Sequence, residues 1–263
     1  MAYRENKLRL RHYESTAPDR FDVPVVLVYA FINRPAILDF APDRSVVQQF
    51  LDRGFDVYLV DFGDPSLLDA ALGIDDYVTR YLRNCVQRVC ERAGVDAVHV
   101  FGYCTGATFA ASFAALSPAV VRTLGFLAPV LDFDVEGGIF DLADQYDKPE
   151  PATITGTYGN APGEFLALQF TLADPAEFHV ERYLRLFETT DPTARRHALR
   201  RLRWGFDTVD VAGALYREFL DVYAERNALL TGTLTIGGQS VTLDNIDVPV
   251  LNVVGENDRF IPR

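Results

Sequence analysis

The sequence is poor in lysine, cysteine and histidine, and its charge is unbalanced. Only two of the 25 basic residues are lysine, Lys7 and Lys148, and 37 acidic residues give a formal net charge of −12. Nucleic-acid binding needs clustered Lys and Arg on phosphates, so this balance argues against a nucleic-acid partner. Screening makes dense surface charge tolerable in a salty cytoplasm, so the acidity indicates a halophile. The arginine bias also fits a genome rich in G and C.

The sequence has three cysteines, Cys85, Cys90 and Cys104, and so small and odd a number does not predict a disulfide framework. The sequence has no CxxC, and no His and Cys residues have the spacing of zinc ligands, so no metal site is expected. Cys85 and Cys90 fall in one helical pattern, where we expect small buried side chains. Cys104 is therefore the cysteine with a candidate chemical role.

No segment predicts export or membrane insertion. Residues 1–15, MAYRENKLRLRHYES, lack the apolar core of a signal peptide. No run reaches the roughly 18 apolar residues that cross a bilayer, and the apolar stretch 107–116 is short enough for a buried helix. We therefore expect a cytoplasmic protein without a transmembrane segment.

Apolar runs that alternate with helical patterns predict an α/β fold with a mostly parallel central sheet and helices on both faces. The five predicted strands are 23–30, 55–62, 95–101, 122–128 and 248–254. From residue 132 to about 206 the rhythm breaks into sequence rich in Pro, Gly and aromatics. We expect a cap inserted at 133–206 between two parts of one core, 1–132 and 207–263.

The pattern G-x-C-x-G, with Gly102, Cys104 and Gly106, lies where an apolar strand meets an alanine-rich helix. In α/β hydrolases such a sharp strand-to-helix turn presents the nucleophile at the top of the sheet, and small flanking residues relieve crowding. The N-terminus of the following helix is expected to favour the Cys104 thiolate. The alternative is an ordinary buried cysteine in a glycine-rich turn.

An elbow nucleophile needs an oxyanion hole and an acid. One donor is expected from the backbone N–H of Thr105, and the other from the loop after an earlier strand, where Phe31 is the candidate. Phe31 is equally well explained as an ordinary apolar loop residue. The acid should follow a later strand, and Asp258 has that position, with Glu256 a weaker candidate and a solvated turn the alternative.

The base is the component that no residue supplies in the expected chain order, in which the histidine follows the acid. His99 lies five residues before Cys104 on the same strand, about 16 Å away, and is expected to be a hydrogen-bonded core residue. The other histidines are His12 in a polar N-terminal segment and His179 and His197 in the cap. We expect a C-terminally truncated chain that lacks the last strand and helix of the fold.

These motifs resemble the catalytic subunit of polyhydroxyalkanoate synthases of the two-subunit (class III and archaeal) type. The stretches that carry the resemblance are, in order, PVVLVYAFINRP, DRSVVQQFLDRGFDVYLVDFG, GIDDYVTRYL, GVDAVHVFGYCTGA, RWGFDTVDVAGALYREF and LTIGGQSVTLDNIDVPVLNVVGENDRFIP. The cysteine form of the lipase box is the most specific of them. The family usually has Gln and Gly-Gly after the cysteine, where this chain has Thr105, Gly106 and Ala107, and the family's Gly-His segment after the acid is absent.

The resemblance implies an α/β-hydrolase-fold acyltransferase that polymerises (R)-3-hydroxyacyl-CoA through an acyl enzyme on Cys104, with release of CoA. A histidine would deprotonate Cys104, and Asp258 would act with it on the incoming 3-hydroxyl group. The coenzyme A belongs to the substrate, so no resident cofactor is implied. A second synthase subunit and the surface of a polymer granule are the implied partners.

Two other functions share these features. A cysteine-dependent α/β hydrolase, a thioesterase or esterase, has the same motifs and differs in releasing a free hydroxy acid. A non-catalytic, granule-associated paralogue fits a chain without the expected histidine. The NRP and DDY stretches, which hydrolases do not need, favour the synthase.

Overall fold

The computed structural model describes residues 1–144, 149–258 and 260–261. The strands in this part are β1 (Tyr3–Glu5), β2 (Leu8–Tyr13), β3 (Val25–Val28), β4 (Asp39–Ala41), β5 (Arg44–Ser45), β6 (Val57–Asp61), β7 (Val98–Tyr103), β8 (Val121–Leu127), β9 (Thr235–Ile236), β10 (Gln239–Ser240) and β11 (Val250–Val253). The helices are α1 (Val46–Leu51), α2 (Arg83–Ala93), α3 (Thr105–Leu116), α4 (Ile139–Asp144), α5 (Pro151–Tyr158), α6 (Gly163–Ala173), α7 (Arg182–Glu188), α8 (Pro192–Phe206) and α9 (Gly213–Glu218). π-helical turns at Asp76–Leu82, Glu177–Glu181 and Phe219–Glu225 adjoin α2, α7 and α9.

Within the described residues, one seven-stranded sheet has the order β1-β2-β6-β3-β7-β8-β11. The five strands predicted from apolar runs are all present, as β3, β6, β7, β8 and β11. They are neighbours in the sheet in the order β6-β3-β7-β8-β11, and every pair of neighbours is parallel. The mostly parallel α/β sheet is therefore confirmed. All four residues of β3 are buried, as expected for a central strand covered on both faces.

The sequence interpretation missed the two strands at the other edge of the sheet. The segment described as polar forms β1 and β2, which pair antiparallel with each other and with β6. Leu8 and Leu10 are completely buried, Arg9 between them is exposed, and the rest of β2 is partly buried. His12 lies on β2, with Nε2 3.2 Å from a carboxylate oxygen of Asp56 and its ring stacked on Tyr58. The polar N-terminal segment that contains this histidine is therefore part of the sheet.

Helix α3 positions the elbow because it is buried over almost its whole length. Its sequence, TGATFAASFAAL, is dominated by small residues, and every residue from Thr105 to Ala115 is buried. Small side chains allow the helix to lie close against β7 and β3. On the helix surface Phe109 packs against Phe31, with ring centroids 5.2 Å apart.

The described residues of 133–206 form the helices α4 to α8 and contain no strand that pairs with the central sheet. The boundaries 1–132, 133–206 and 207–263 stay predictions. Helix α8 docks on the core through Trp204, whose Nε1–H donates to the carbonyl of Arg34 at 2.8 Å. Among the described helices there is none whose length and hydropathy would allow it to cross a lipid bilayer.

Candidate active site

Cys104 occupies a strained backbone position between β7 and α3. Its φ of 54° and ψ of −128° are uncommon for a residue with a side chain. The turn is held on both sides, because the Cys104 N–H donates to the carbonyl of Leu127 at 3.1 Å and its own carbonyl accepts from the Ala107 N–H at 2.9 Å. The sharp strand-to-helix turn predicted from G-x-C-x-G is therefore present.

Both elbow glycines are required by close contacts. A Cβ at Gly102 would lie 2.4 Å from the Cα of Ala107, and a Cβ at Gly106 would lie 2.3 Å from the carbonyl oxygen of Val28. These neighbours are backbone atoms that cannot rotate away. The two glycines thus allow α3 to begin directly above the ends of β3 and β7.

The thiol of Cys104 is protonated at neutral pH. Burial raises its pKa to about 11, the Thr105 N–H at the sulfur lowers it, and the negative charge of Asp258 raises it further. The N–H of Thr105 at the start of α3 favours the thiolate, as expected of the helix N-terminus, but desolvation outweighs it. A nucleophilic role consequently requires a base.

Thr105 is the first residue of α3, and its backbone N–H hydrogen-bonds the Cys104 sulfur. This position suits the predicted oxyanion-hole donor. Its side-chain Oγ1 is buried and has no hydrogen-bond partner in the described part of the chain. The role of Thr105 in an oxyanion hole stays a prediction.

Phe31 lies in the loop after β3, as expected, but its side chain is a core residue. It is 6% exposed and packs against Phe109 and, edge to face, against Phe219 at 5.0 Å. No contact in the described residues joins its N–H to the sulfur, so its role as the second oxyanion donor stays a prediction.

Asp258 lies close enough to Cys104 for its charge to act on the thiol. One oxygen of its carboxylate accepts the N–H groups of Phe260 and Ile261, both at 3.0 Å. Its charge raises the pKa of Cys104 and also that of Tyr103, in both cases as a smaller effect than burial. The structure brings the predicted acid and nucleophile together, while the neighbouring Glu256 is exposed.

No histidine in the described residues hydrogen-bonds Cys104. His99, as expected, is half-buried and hydrogen-bonded, with Nδ1 2.8 Å from Thr123 Oγ1, and burial and the charge of Arg122 lower its pKa. His197 lies 3.1 Å from a carboxylate oxygen of Asp43. Within residues 1–144, 149–258 and 260–261, no three His, Cys, Asp or Glu side chains are grouped to hold a metal ion.

Two tyrosines that the sequence interpretation missed stand beside the nucleophile. The rings of Tyr29 and Tyr103 stack at 5.4 Å, and burial raises the pKa of both hydroxyls. The hydroxyl of Tyr29 donates to Asn33 Oδ1 at 2.6 Å, and the indole of Trp204 lies near this hydroxyl while its N–H donates to the carbonyl of Arg34. Tyr103 is the residue between Gly102 and Cys104 in the elbow pattern, and Tyr29 lies near the end of the predicted strand 23–30. These two positions are the sequence signals by which the tyrosines could have been found.

The α/β hydrolase fold family matches residues 23–263 of the chain. The poly(3-hydroxyalkanoate) polymerase subunit PhaC of Haloferax mediterranei is 46% identical over 263 residues, which cover all of this chain and 54% of that protein. The PhaC subunit of Haloarcula marismortui is 42% identical over 270 residues, covering all of this chain and 57% of that protein. The chain therefore spans about half the length of these haloarchaeal relatives, whose origin fits the expectation of a halophile.

The PhaC subunit of Allochromatium vinosum is 35% identical over 263 residues, covering 99% of this chain and 74% of that protein. Among solved structures, MenH from S. aureus superposes with a TM-score of 0.52 at 17% identity, over 95% of this chain and 80% of that one. A structure from a study of carboxylesterases of the thaumarchaeon Nitrososphaera gargenis also gives 0.52 at 17% identity, over 97% of this chain and 78% of that one. These structures support the fold alone.

Proposed function

The chain belongs to the α/β-hydrolase fold family and, within it, to the poly(3-hydroxyalkanoate) polymerase subunit PhaC family, and from this we propose that it polymerises (R)-3-hydroxyacyl-CoA thioesters through an acyl enzyme on Cys104. The observation that carries the proposal is a cysteine on a strained elbow within reach of the charge of Asp258. Strain at a nucleophile is typical of a functional turn.

In the proposed reaction the Cys104 sulfur attacks the thioester carbonyl. A bond forms between this sulfur and the acyl carbon, the bond from that carbon to the sulfur of CoA breaks, and CoA leaves as a thiol with the proton that Cys104 gave up. One thioester replaces another, so the acyl group stays activated for transfer to the 3-hydroxyl of the next unit. The Thr105 N–H is suited to stabilise negative charge on the carbonyl oxygen.

The base in this proposal is a histidine paired with Asp258, as the family resemblance implies. Because the pKa of Cys104 is about 11, almost none of the thiol is ionised at pH 7 without such a base. Asp258 would orient the histidine and assist deprotonation of the 3-hydroxyl group. No resident cofactor is part of the proposal, since the substrate brings its own coenzyme A.

The raised pKa also makes the proposal testable on the chain itself. Near pH 10 about a tenth of a thiol with this pKa is ionised, so acylation no longer depends on a base. We expect 3-hydroxybutyryl-CoA to add one hydroxybutyryl group at Cys104, seen by intact-protein and peptide mass spectrometry. Cys104→Ala should abolish the adduct, and Cys90→Ala, which changes the half-buried cysteine of α2, should leave it intact.

Three outcomes would contradict the proposal. Absence of the adduct, or formation of an equal adduct on Cys90, would contradict an acyl enzyme on Cys104. Release of free 3-hydroxybutyrate with no oligomer longer than one unit would favour the thioesterase alternative. Acylation at Cys104 followed by chain growth supports the polymerase.

The proposed setting includes a second synthase subunit and the surface of a polymer granule. Exposed apolar side chains on the cap support contact with a hydrophobic surface, because large exposed apolar patches mark interaction sites. The three most exposed in the neighbourhood of α7 are Val180 at 52%, Leu184 at 52% and Phe187 at 76%. The second subunit is supported by the family resemblance.

A further inference from the structure

Helix α8 concentrates positive charge in an otherwise acidic molecule. Its 15 residues, PTARRHALRRLRWGF, include five arginines and no acid, in a chain of net charge −12. The five exposed arginines are Arg195, Arg196, Arg200, Arg201 and Arg203. Their hydrogen bonds to the described residues are Arg196 to Thr193 Oγ1 at 2.9 Å and Arg200 to the carbonyl of Phe40 at 3.4 Å. Their guanidinium charges are not matched by carboxylates in this part of the chain.

Three of these arginines share one face of α8. Arg196, Arg200 and Arg203 follow the i, i+4, i+7 spacing that aligns side chains along a helix, and we call them the arginine stripe. From first to last, the stripe extends about 10 Å along the axis. It borders the face of α8 that packs on the core, where His197 contacts Asp43 and Trp204 donates to the Arg34 carbonyl.

The C-terminal end of the stripe lies next to the candidate active site. Trp204 follows Arg203 directly, and its indole lies near the Tyr29 hydroxyl while its N–H donates to the carbonyl of Arg34 in the loop after β3. Tyr29 stacks on Tyr103, and both side chains lie close enough to Cys104 for the charge of its thiolate to raise the pKa of their hydroxyls. A short row of aromatic side chains thus connects the arginine stripe with the nucleophile.

Three carboxylates at or beside α8 already have partners. Asp43 pairs with His197, and Asp207 accepts from Arg34 Nε at 2.8 Å. Asp191 caps α8 by accepting the Ala194 N–H at 2.7 Å. The arginine stripe is consequently available to an external anion, and its charge is opposite to that of the molecule as a whole.

We propose that the arginine stripe binds the 3′-phospho-ADP portion of a coenzyme A thioester. This inference rests on the proposed function, because it takes the acyl-CoA as the substrate of Cys104. Coenzyme A carries its phosphates at one end and its thioester at the other, joined by an uncharged arm. The phosphates lie on Arg196 and Arg203, and the arm follows Trp204 and Tyr29 to Cys104. Guanidinium groups suit phosphates because their planar N–H groups bind two oxygens at once.

The test compares two double substitutions in the same helix. Arg196→Gln with Arg203→Gln removes two charges from the stripe, and Arg195→Gln with Arg201→Gln removes two charges from other faces of α8. Free coenzyme A, which cannot acylate the protein, is titrated calorimetrically at one fixed salt concentration. We expect the stripe variant to raise the Kd about tenfold, as for the loss of two exposed charge-assisted contacts, and the control to change it less than twofold.

A third variant and a second ligand separate charge from folding. Arg196→Lys with Arg203→Lys keeps the charge and should recover most of the affinity. 3′-Dephospho-CoA should bind the wild-type chain more weakly than coenzyme A and should show a smaller difference between the variants. The proposal would be overturned if neither glutamine variant changed the Kd of the wild type, or if both variants weakened binding equally. An acidic protein surface as the true occupant of the stripe would produce the first of these results.

Failure of this inference is distinguishable from failure of the proposed function. The N-acetylcysteamine thioester of 3-hydroxybutyrate has no phosphates, so it should acylate Cys104 at the same rate in the wild type and in both glutamine variants. If neither thioester acylates Cys104, the proposed function is rejected, and the coenzyme A titration still tests whether the arginine stripe binds the phosphates. Normal acylation with equal Kd values would reject the stripe alone.

Discussion

At Cys104, a hydrogen bond that favours the thiolate is opposed by burial and by a nearby negative charge. The Thr105 N–H stabilises the thiolate, while desolvation and the charge of Asp258 oppose it, and the result is a pKa of about 11. Since only the thiolate reacts with alkylating reagents, the rate of alkylation reports this balance directly. At pH values below 11, the rate should rise about tenfold for each unit by which the pH is increased, because the ionised fraction of the thiol does so.

Asp258→Asn should lower the pKa of Cys104 and accelerate its alkylation severalfold at pH 9. The neutral amide removes the negative charge but keeps an oxygen that can accept the N–H groups of Phe260 and Ile261. Iodoacetamide labelling followed by peptide mass spectrometry measures the rate at Cys104 separately from the other cysteines. Glu256→Gln, which removes a charge from an exposed neighbour, serves as the control and should leave the rate unchanged. Equal rates for the two variants would show that Asp258 does not act on the thiol.

The elbow residues could be predicted from the sequence because their constraint is local. Gly102 and Gly106 follow from the sharpness of a turn that any G-x-C-x-G at a strand end would make. The protonation state of Cys104 could not be predicted in the same way. It depends on desolvation by side chains such as Tyr29 and Tyr103, which different strands bring together.

At the scale of secondary-structure elements, a buried hydrogen bond joins α3 to the π-helical turn at Phe219–Glu225. The hydroxyls of Ser112 and Tyr223 lie 2.9 Å apart, and both residues are fully buried. Ser112 donates to the carbonyl of Thr108 at 2.8 Å, so the Tyr223 hydroxyl is the donor to Ser112. This bond ties the helix that carries the nucleophile to the second part of the core.

The two single substitutions at this bond should differ in stability. Tyr223→Phe leaves Ser112 bonded to Thr108 and should lower the free energy of unfolding by about 1 kcal/mol. Ser112→Ala leaves the Tyr223 hydroxyl buried without an acceptor and should cost about 1–3 kcal/mol. The double variant should lose less than the sum of the two, because the orphaned hydroxyl is gone. Urea unfolding measures all three, and strict additivity would show that the hydroxyls do not interact.

Elements with continuous apolar runs were predictable, and those with a weaker pattern were missed. The strand β3 consists of four buried residues, so its sequence alone marks it as central. The strand β2, LRLRHY, has only Leu8 and Leu10 in its buried positions, and its alternation with arginine is a two-residue period that was present in the sequence. Its burial depends on pairing with β6, a contact between segments far apart in the chain.

At the scale of the whole molecule, negative charge is in excess, and the arginine stripe is a local exception to it. The chain has 37 acidic and 25 basic residues, and many of its ion pairs are partly exposed, such as Arg34 with Asp64. Exposed pairs of this kind contribute little to stability. Self-repulsion among the remaining carboxylates therefore destabilises the folded state at low ionic strength.

Added salt should stabilise the folded chain, and the salt concentration at which this effect levels off should show whether charge screening is its cause. The Debye length falls from about 10 Å at 0.1 M to about 3 Å at 1 M salt, so repulsion between carboxylates on the surface is largely screened at the higher concentration. We expect the free energy of unfolding in urea to rise by about 1–2 kcal/mol between 0.1 and 1 M KCl, because a net charge of −12 repels itself less. Screening approaches a plateau near 1 M, whereas stabilisation by exclusion of salt from the protein surface would continue to grow beyond it. A constant or falling stability between 0.1 and 1 M KCl would contradict the prediction and would mean that surface repulsion does not limit this fold.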